Sequence, residues 1–163
     1  SATYYPASGI SGEIGVISIG VGYTVPFQTF ATEWIDDQKF AESMNALHLD
    51  GVIFRPISYK PYYGFGQGKN LKGVQFFFTD FEKARVSEIQ FYIMQVLKRL
   101  YPEHDLFAEC DATRFSMFDK VCGTNYIRLQ LQKNGYSFDQ IKSYWRKDEN
   151  AFKERSKRYW IYN

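Results

Sequence analysis

The chain has 163 residues, 45% of them hydrophobic and 23% charged, with a net charge of +2; it can bury the core of one domain but offers no strong electrostatic grip on nucleic acid. No apolar run approaches the ~20 residues that a membrane-spanning helix needs, and the two histidines and two cysteines lack metal-ligand spacing, so no metal or other cofactor is expected. Aromatic residues reach 19%; Phe fits a core, whereas Tyr joins an apolar ring to a polar rim and suits surfaces that cover sugar rings.

In chain order, Ile14 to Ile19 alternates as a strand does. It leads into "SIGVGYTVPF", Ser18 to Phe27, where Gly20, Gly22 and Pro26 crowd together. A phosphate loop would need a helix opening at its last glycine and a lysine; here the strand formers Tyr23, Thr24 and Val25 follow instead. The segment reads as a tight turn or bulge. Pro26 to Phe30 is a short extended piece. Asp36 then opens a helix that places Phe40, Met44 and Leu47 on one face beside Ala41, with Gly51 as its stop. Val52 to Ile57 and Gly73 to Thr79 read as strands.

Between these strands runs a loop, Ser58 to Lys72, holding Tyr59, Tyr62, Tyr63 and Phe65 with Gly64, Gly66 and Gly68 among them. Rings separated by hinges suit a flap that closes on a ligand; the alternative is rings folded back on the domain's own sheet. A long helix is predicted over about Ala84 to Tyr101, carrying Val86, Ile89, Ile93, Val96, Leu97 and Leu100, with Pro102 ending it. Asn125 to Lys133 forms a short helix closed by Gly135. Ser137 and Gln140 spell a capping box for a last helix with Phe138, Ile141, Trp145, Phe152 and Tyr159 on one stripe. Cys110 and Cys122 read as free, semi-buried thiols. The predicted class is α+β: a small, mostly antiparallel or mixed sheet packed by helices, with a C-terminal helical segment.

Several stretches, in order, carry a family resemblance: "GVGYTVPF", "EWIDDQKFAESMNAL", "GVIFRPISYKP", "KGVQFFFTD", "MFDKVCGTNYIR" and "SYWRKDENAFKERSKRYWIY". Together they resemble the C-terminal half of the exo-β-N-acetylmuramidase (NamZ) family, which acts on peptidoglycan fragments. The resemblance implies that residues 1–25 end an N-terminal Rossmann-like catalytic domain and form the junction, and that residues 26–163 are an accessory C-terminal domain. It also implies export to the periplasm or cell surface. The implied partners are a muropeptide or other peptidoglycan-derived amino sugar and the protein's own N-terminal domain, with no nucleic acid and no membrane span.

Glycoside hydrolysis usually needs two carboxyl groups flanking the bond. Asp36 and Asp80 are better explained as caps or turn residues, and Glu33 lies beside Trp34 where the family tends to have Pro. Glu13, in "SGEIG", is the acidic candidate for substrate contact, and no catalytic residue is expected in this chain. The expected substrate-binding residues are Glu13, Ser18, Gly20, Gly22, Tyr23, Tyr59, Tyr62 and Tyr63. The chain departs from the family pattern at Val21 (Arg in the family), Tyr23 (Thr) and Phe77 (polar, often His). Arg presents a planar fork to a carboxylate and Val cannot, so keeping the family's substrate requires another cation, such as Arg55 or Lys60, in its place. Competing readings are a glycan-binding domain of a degenerate homologue and a protein-interaction domain that docks through its Tyr-rich loop.

Overall fold

The computed structural model describes residues 2–161. Its elements run α1 (Gly9–Gly12), β1 (Thr29–Thr32), α2 (Asp37–Asn45), β2 (Val52–Tyr59), β3 (Leu71–Phe78), α3 (Ile89–Leu100), α4 (Phe115–Cys122), α5 (Tyr126–Lys133), α6 (Lys142–Arg146) and α7 (Glu149–Ser156). The strands form one antiparallel sheet in the order β1-β3-β2, as the α+β reading expects. β2 and β3 are a hairpin whose register runs from Val52 opposite Phe78 to Tyr59 opposite Leu71. Pro56 falls on β2, an edge strand, where a sheet tolerates a residue without an N–H.

Strand alternation gives the sheet two different faces. Phe30, Val52, Phe54, Val74 and Phe76 join Phe40 and Met44 of α2 and Ile93 and Leu97 of α3 in the main core. On the other face Ala31, Tyr59 and Leu71 form a small separate cluster with Ile57. Local chemistry fixes the helices against the first face. Asp36 caps α2 by accepting from the Lys39 N–H at 3.0 Å. Asn45, at the end of α2, donates to the Phe54 carbonyl (2.7 Å) and accepts from the Phe54 N–H (3.0 Å), which pins α2 to β2.

Two buried polar residues near the start of α3 tie in the chain ends. Gln90 accepts from the Ser11 N–H and donates to the Pro6 carbonyl, each at 3.1 Å. Ala7, Ile10, Ile14 and Ile17 accordingly belong to the main core. Glu88 takes a two-pronged ion pair from Arg146 at 2.6 Å in both prongs, which holds the C-terminal segment to the same helix.

Several local expectations fail. Ile14 to Ile19 is not a strand: the chain turns through Gly15 at φ +77°, and Ser18 alone makes an isolated bridge, to Ala31. Ile14 and Ile17 are buried nonetheless; alternation reports burial, which a turn satisfies as well as a strand. The long helix is shortened, because Val86 to Glu88 is a 3-10 turn and regular helix begins at Ile89. The predicted C-terminal stripe is broken: Phe138 and Ile141 are buried, whereas Phe152 and Tyr159 are 61% and 69% exposed. The capping box does not form, since the Gln140 N–H bonds to the Ser137 carbonyl and the Ser137 side chain caps nothing. α4 is an additional helix, anchored by Phe118. The two cysteines are free, as expected. Among the described residues no helix is long and apolar enough to cross a membrane, and no group of three His, Cys, Asp or Glu gathers around a common point.

Candidate functional site: the glycine turn, the tyrosine loop and the adjoining groove

The turn through Gly20 and Gly22 touches the tyrosine-rich loop backbone to backbone. Both glycines have positive φ, +84° and +88°. A Cβ on Gly20 would collide with the Val25 carbonyl, and one on Gly22 with the Tyr63 carbonyl. Glycine is therefore required twice over, for its dihedral and for its lack of a side chain. The contact is locked by the Tyr62 N–H donating to the Gly22 carbonyl at 2.7 Å. Phe27 closes the turn at φ +68°, a strained setting for a bulky residue that persists only when its surroundings hold it. The Phe27 N–H donates to Ile19 at 2.7 Å, its carbonyl accepts from the Ser8 hydroxyl at 3.0 Å, and its ring meets the Tyr5 ring edge-on at 5.1 Å.

Under the turn lies a buried hydroxyl network. The Tyr59 hydroxyl donates to Ser18 Oγ at 2.8 Å and lies 2.9 Å from Thr29 Oγ1. Tyr23 stacks over the Tyr59 ring, with centroids 4.7 Å apart. Burial pushes the Tyr59 phenol above its usual pKa, and the hydrogen bonds to Ser18 and Thr29 only partly counter this, so it remains a neutral donor at physiological pH. Ser18, Gly20, Gly22 and Tyr59 are thus internal supports, while Tyr23, Tyr62 and Tyr63 form the surface. Tyr62 is 86% and Tyr63 57% exposed; their rings point outward rather than back onto the sheet. Tyr62 also borders a shallow depression of about 360 Å³ with Lys60, Pro61, Gln67 and Gly68.

Glu13 sits just after α1. Its carboxylate makes no hydrogen bond or ion pair among the described residues, while its carbonyl accepts from Arg114 Nε at 2.6 Å. Asp36 and Asp80 are occupied with the N–H groups of Lys39 and of Glu82 and Lys83, respectively, and Glu33 pairs with Lys69 at 2.6 Å. No pair of free carboxyl groups faces a common space among these residues.

Beside the turn runs a groove of about 360 Å³ whose walls include Gly15, Ile17, Ile19, Val21, Phe65 and Arg114. Neither expected replacement cation lines it. Arg55 is committed to Gln75, donating from Nε (3.1 Å) and Nη2 (2.7 Å) to one amide oxygen, and lies over the Phe77 ring at 4.9 Å. Lys60 borders the depression near Tyr62. Arg114 is the groove's cation, and sequence reading missed it. It sits in "DATRF", at the start of the helix that was not foreseen, and only the packing of α1 against α4 brings it to the groove.

A small antiparallel sheet with helices on one face and exposed tyrosines on a glycine-tight loop by the other defines an α+β domain. The family model described as "Exo-beta-N-acetylmuramidase NamZ, C-terminal" matches residues 3–162, and the chain belongs to this family. It is 33% identical over 162 residues to peptidoglycan beta-N-acetylmuramidase NamZ of Bacillus subtilis (strain 168), covering 99% of this chain and 37% of that protein. It also matches a crystal structure of a DUF1343 family protein from Bacteroides fragilis NCTC 9343, with a TM-score of 0.95 and 47% identity, covering 99% of this chain and 42% of that one. The chain therefore spans well under half the length of these relatives.

Proposed function

We propose that the chain is the cleft-completing C-terminal part of an exported, exo-acting β-N-acetylmuramidase that removes terminal N-acetylmuramic acid from peptidoglycan fragments. The observation that carries this reading is the match of 99% of the chain to a peptidoglycan β-N-acetylmuramidase. The local geometry agrees with a binding rather than a bond-breaking role. Tyr62 and Tyr63 present exposed rings able to cover a sugar face, with hydroxyls free for its rim. Among the acidic candidates Glu13, Glu33, Asp36 and Asp80, only Glu13 has a carboxylate outside ion pairs and caps among the described residues, whereas glycoside hydrolysis usually uses two flanking carboxyl groups; the reading therefore assigns the acid and base to an N-terminal partner domain.

The test is the full-length protein on a chromogenic N-acetylmuramide, with the matching N-acetylglucosaminide as control. Release from the muramide well above buffer supports the reading. Binding of the amino sugar without release identifies a glycan-binding homologue and refutes the hydrolase assignment.

A further inference from the structure

We propose that Arg114 binds the carboxylate of the substrate's lactyl group, and that the groove beside Val21 is the pocket for that side chain. The inference rests on the muramidase reading and adds the group that selects the sugar. A muramoyl residue differs from an N-acetylglucosaminyl one by a lactyl ether, which carries one carboxylate and one methyl group. The groove offers a partner for each: a guanidinium from Arg114, and apolar walls from Ile17, Ile19, Val21 and Phe65.

Arg114 is both held and available. Its Nε donates to the Glu13 carbonyl at 2.6 Å. Its two terminal nitrogens have no hydrogen-bond partner, and it joins no ion pair, among the described residues. Asp111, close by in sequence, spends Oδ1 on the N–H and hydroxyl of Thr113 (2.9 and 2.8 Å); these bonds first, and the Arg114 charge after them, lower its pKa, yet Asp111 and Arg114 form no ion pair among the described residues. The Arg114 stem lies across Gly15, where a Cβ would strike its Nε, Cδ and Cζ, and where φ is +77°. One end of the guanidinium is thus fixed by the backbone and the other is left open, a geometry that suits two-pronged carboxylate binding. Val21 lines the same groove without a charge, and the cation there comes from Arg114, at the N-cap of α4.

The experiment measures binding to the full-length protein by calorimetry, with N-acetylmuramic acid, its methyl ester and N-acetylglucosamine as probes. The wild type is expected to prefer the acid over the ester by about tenfold or more, the scale of a lost charge-assisted contact. Arg114→Ala should abolish that preference, and Arg114→Lys should retain only part of it, because charge survives but the fork does not. Arg114→Gln keeps length and polarity without the charge and should abolish it as well, which decides the matter if Arg114→Ala fails to fold. A wild type that does not distinguish acid from ester, or an Arg114→Ala variant that still does, overturns the proposal. Binding is read without turnover. Acid-selective binding with no muramide cleavage therefore sinks the hydrolase reading alone, and cleavage with unchanged selectivity in Arg114→Ala sinks the Arg114 assignment alone.

Discussion

Replacing Gly22 by Ala tests whether the turn and the tyrosine loop are one mechanical unit. Two separate costs are expected. An L-residue in the left-handed region loses about 1–2 kcal/mol, and restricting the unfolded chain returns about 0.4–1 kcal/mol of that. The new Cβ would also occupy the place of the Tyr63 carbonyl, so the loop must retreat and the Tyr62-to-Gly22 hydrogen bond is lost, at about 1 kcal/mol or more. The total is about 1–3 kcal/mol, or a fall of roughly 2–12 °C in melting temperature for a domain of this size. Gly68 supplies the control. Its φ is +74°, yet nothing lies within 4 Å of a Cβ built there, so Gly68→Ala carries the dihedral cost alone, about 1 kcal/mol. Urea titrations of both variants isolate the contact as the difference between them. Equal losses for Gly22→Ala and Gly68→Ala would refute a packed junction between turn and loop.

In the full-length protein, Tyr62→Ala with Tyr63→Ala should raise KM for the muramide several-fold and leave the melting temperature within about 2 °C, because these exposed rings contribute little to folding; a large drop in stability with unchanged kinetics would contradict the binding role. Asp105 should contribute to acid unfolding. Burial raises its pKa, but hydrogen bonds from Tyr136, the Ala108 N–H and Lys98 more than offset this, leaving it below its ordinary value of 3.8. A carboxyl with a depressed folded pKa stabilises fully above the unfolded value and loses that stabilisation as pH falls through the folded one. Asp105→Asn should therefore be less stable than wild type at pH 7, with the gap closing below about pH 4; a gap independent of pH would show that the contribution is steric. Cys122 should react slowly with a thiol reagent at pH 8 until the protein unfolds, because burial, with Asp119 adding to it, raises its pKa to about 12; rapid native labelling of both thiols would count against that environment.

The sequence by itself determined the elements whose signals are local. The cap at Asp36, the Phe40 and Met44 face of α2 and the strand character of Val52 to Ile57 and Gly73 to Phe78 each depend on neighbours within a few positions, and each appears as read. The sequence left open whether Tyr62 and Tyr63 face outward or fold back on the sheet, and the structure sets both outward while burying Tyr59 of the same segment. Only the tertiary structure decided where burial comes without regular structure. Ile14 and Ile17 reach the core from a turn, while Phe152 and Tyr159 share a helical spacing with Phe138 and Ile141 but have no core to meet. It also separated the expected site residues into supports and surface. Tyr59 lies on the face of β2 that closes against Ser18 and Thr29, which its identity does not reveal. Arg114 is the sharpest case. Its surrounding residues are ordinary, and it becomes a groove cation only because α4 packs beside α1 and sets its guanidinium against the Glu13 carbonyl, a contact between segments 101 positions apart. Periodicity and capping are short-range consequences of backbone geometry, whereas a groove is the space left between elements far apart in the chain, and nothing in either element alone specifies its shape.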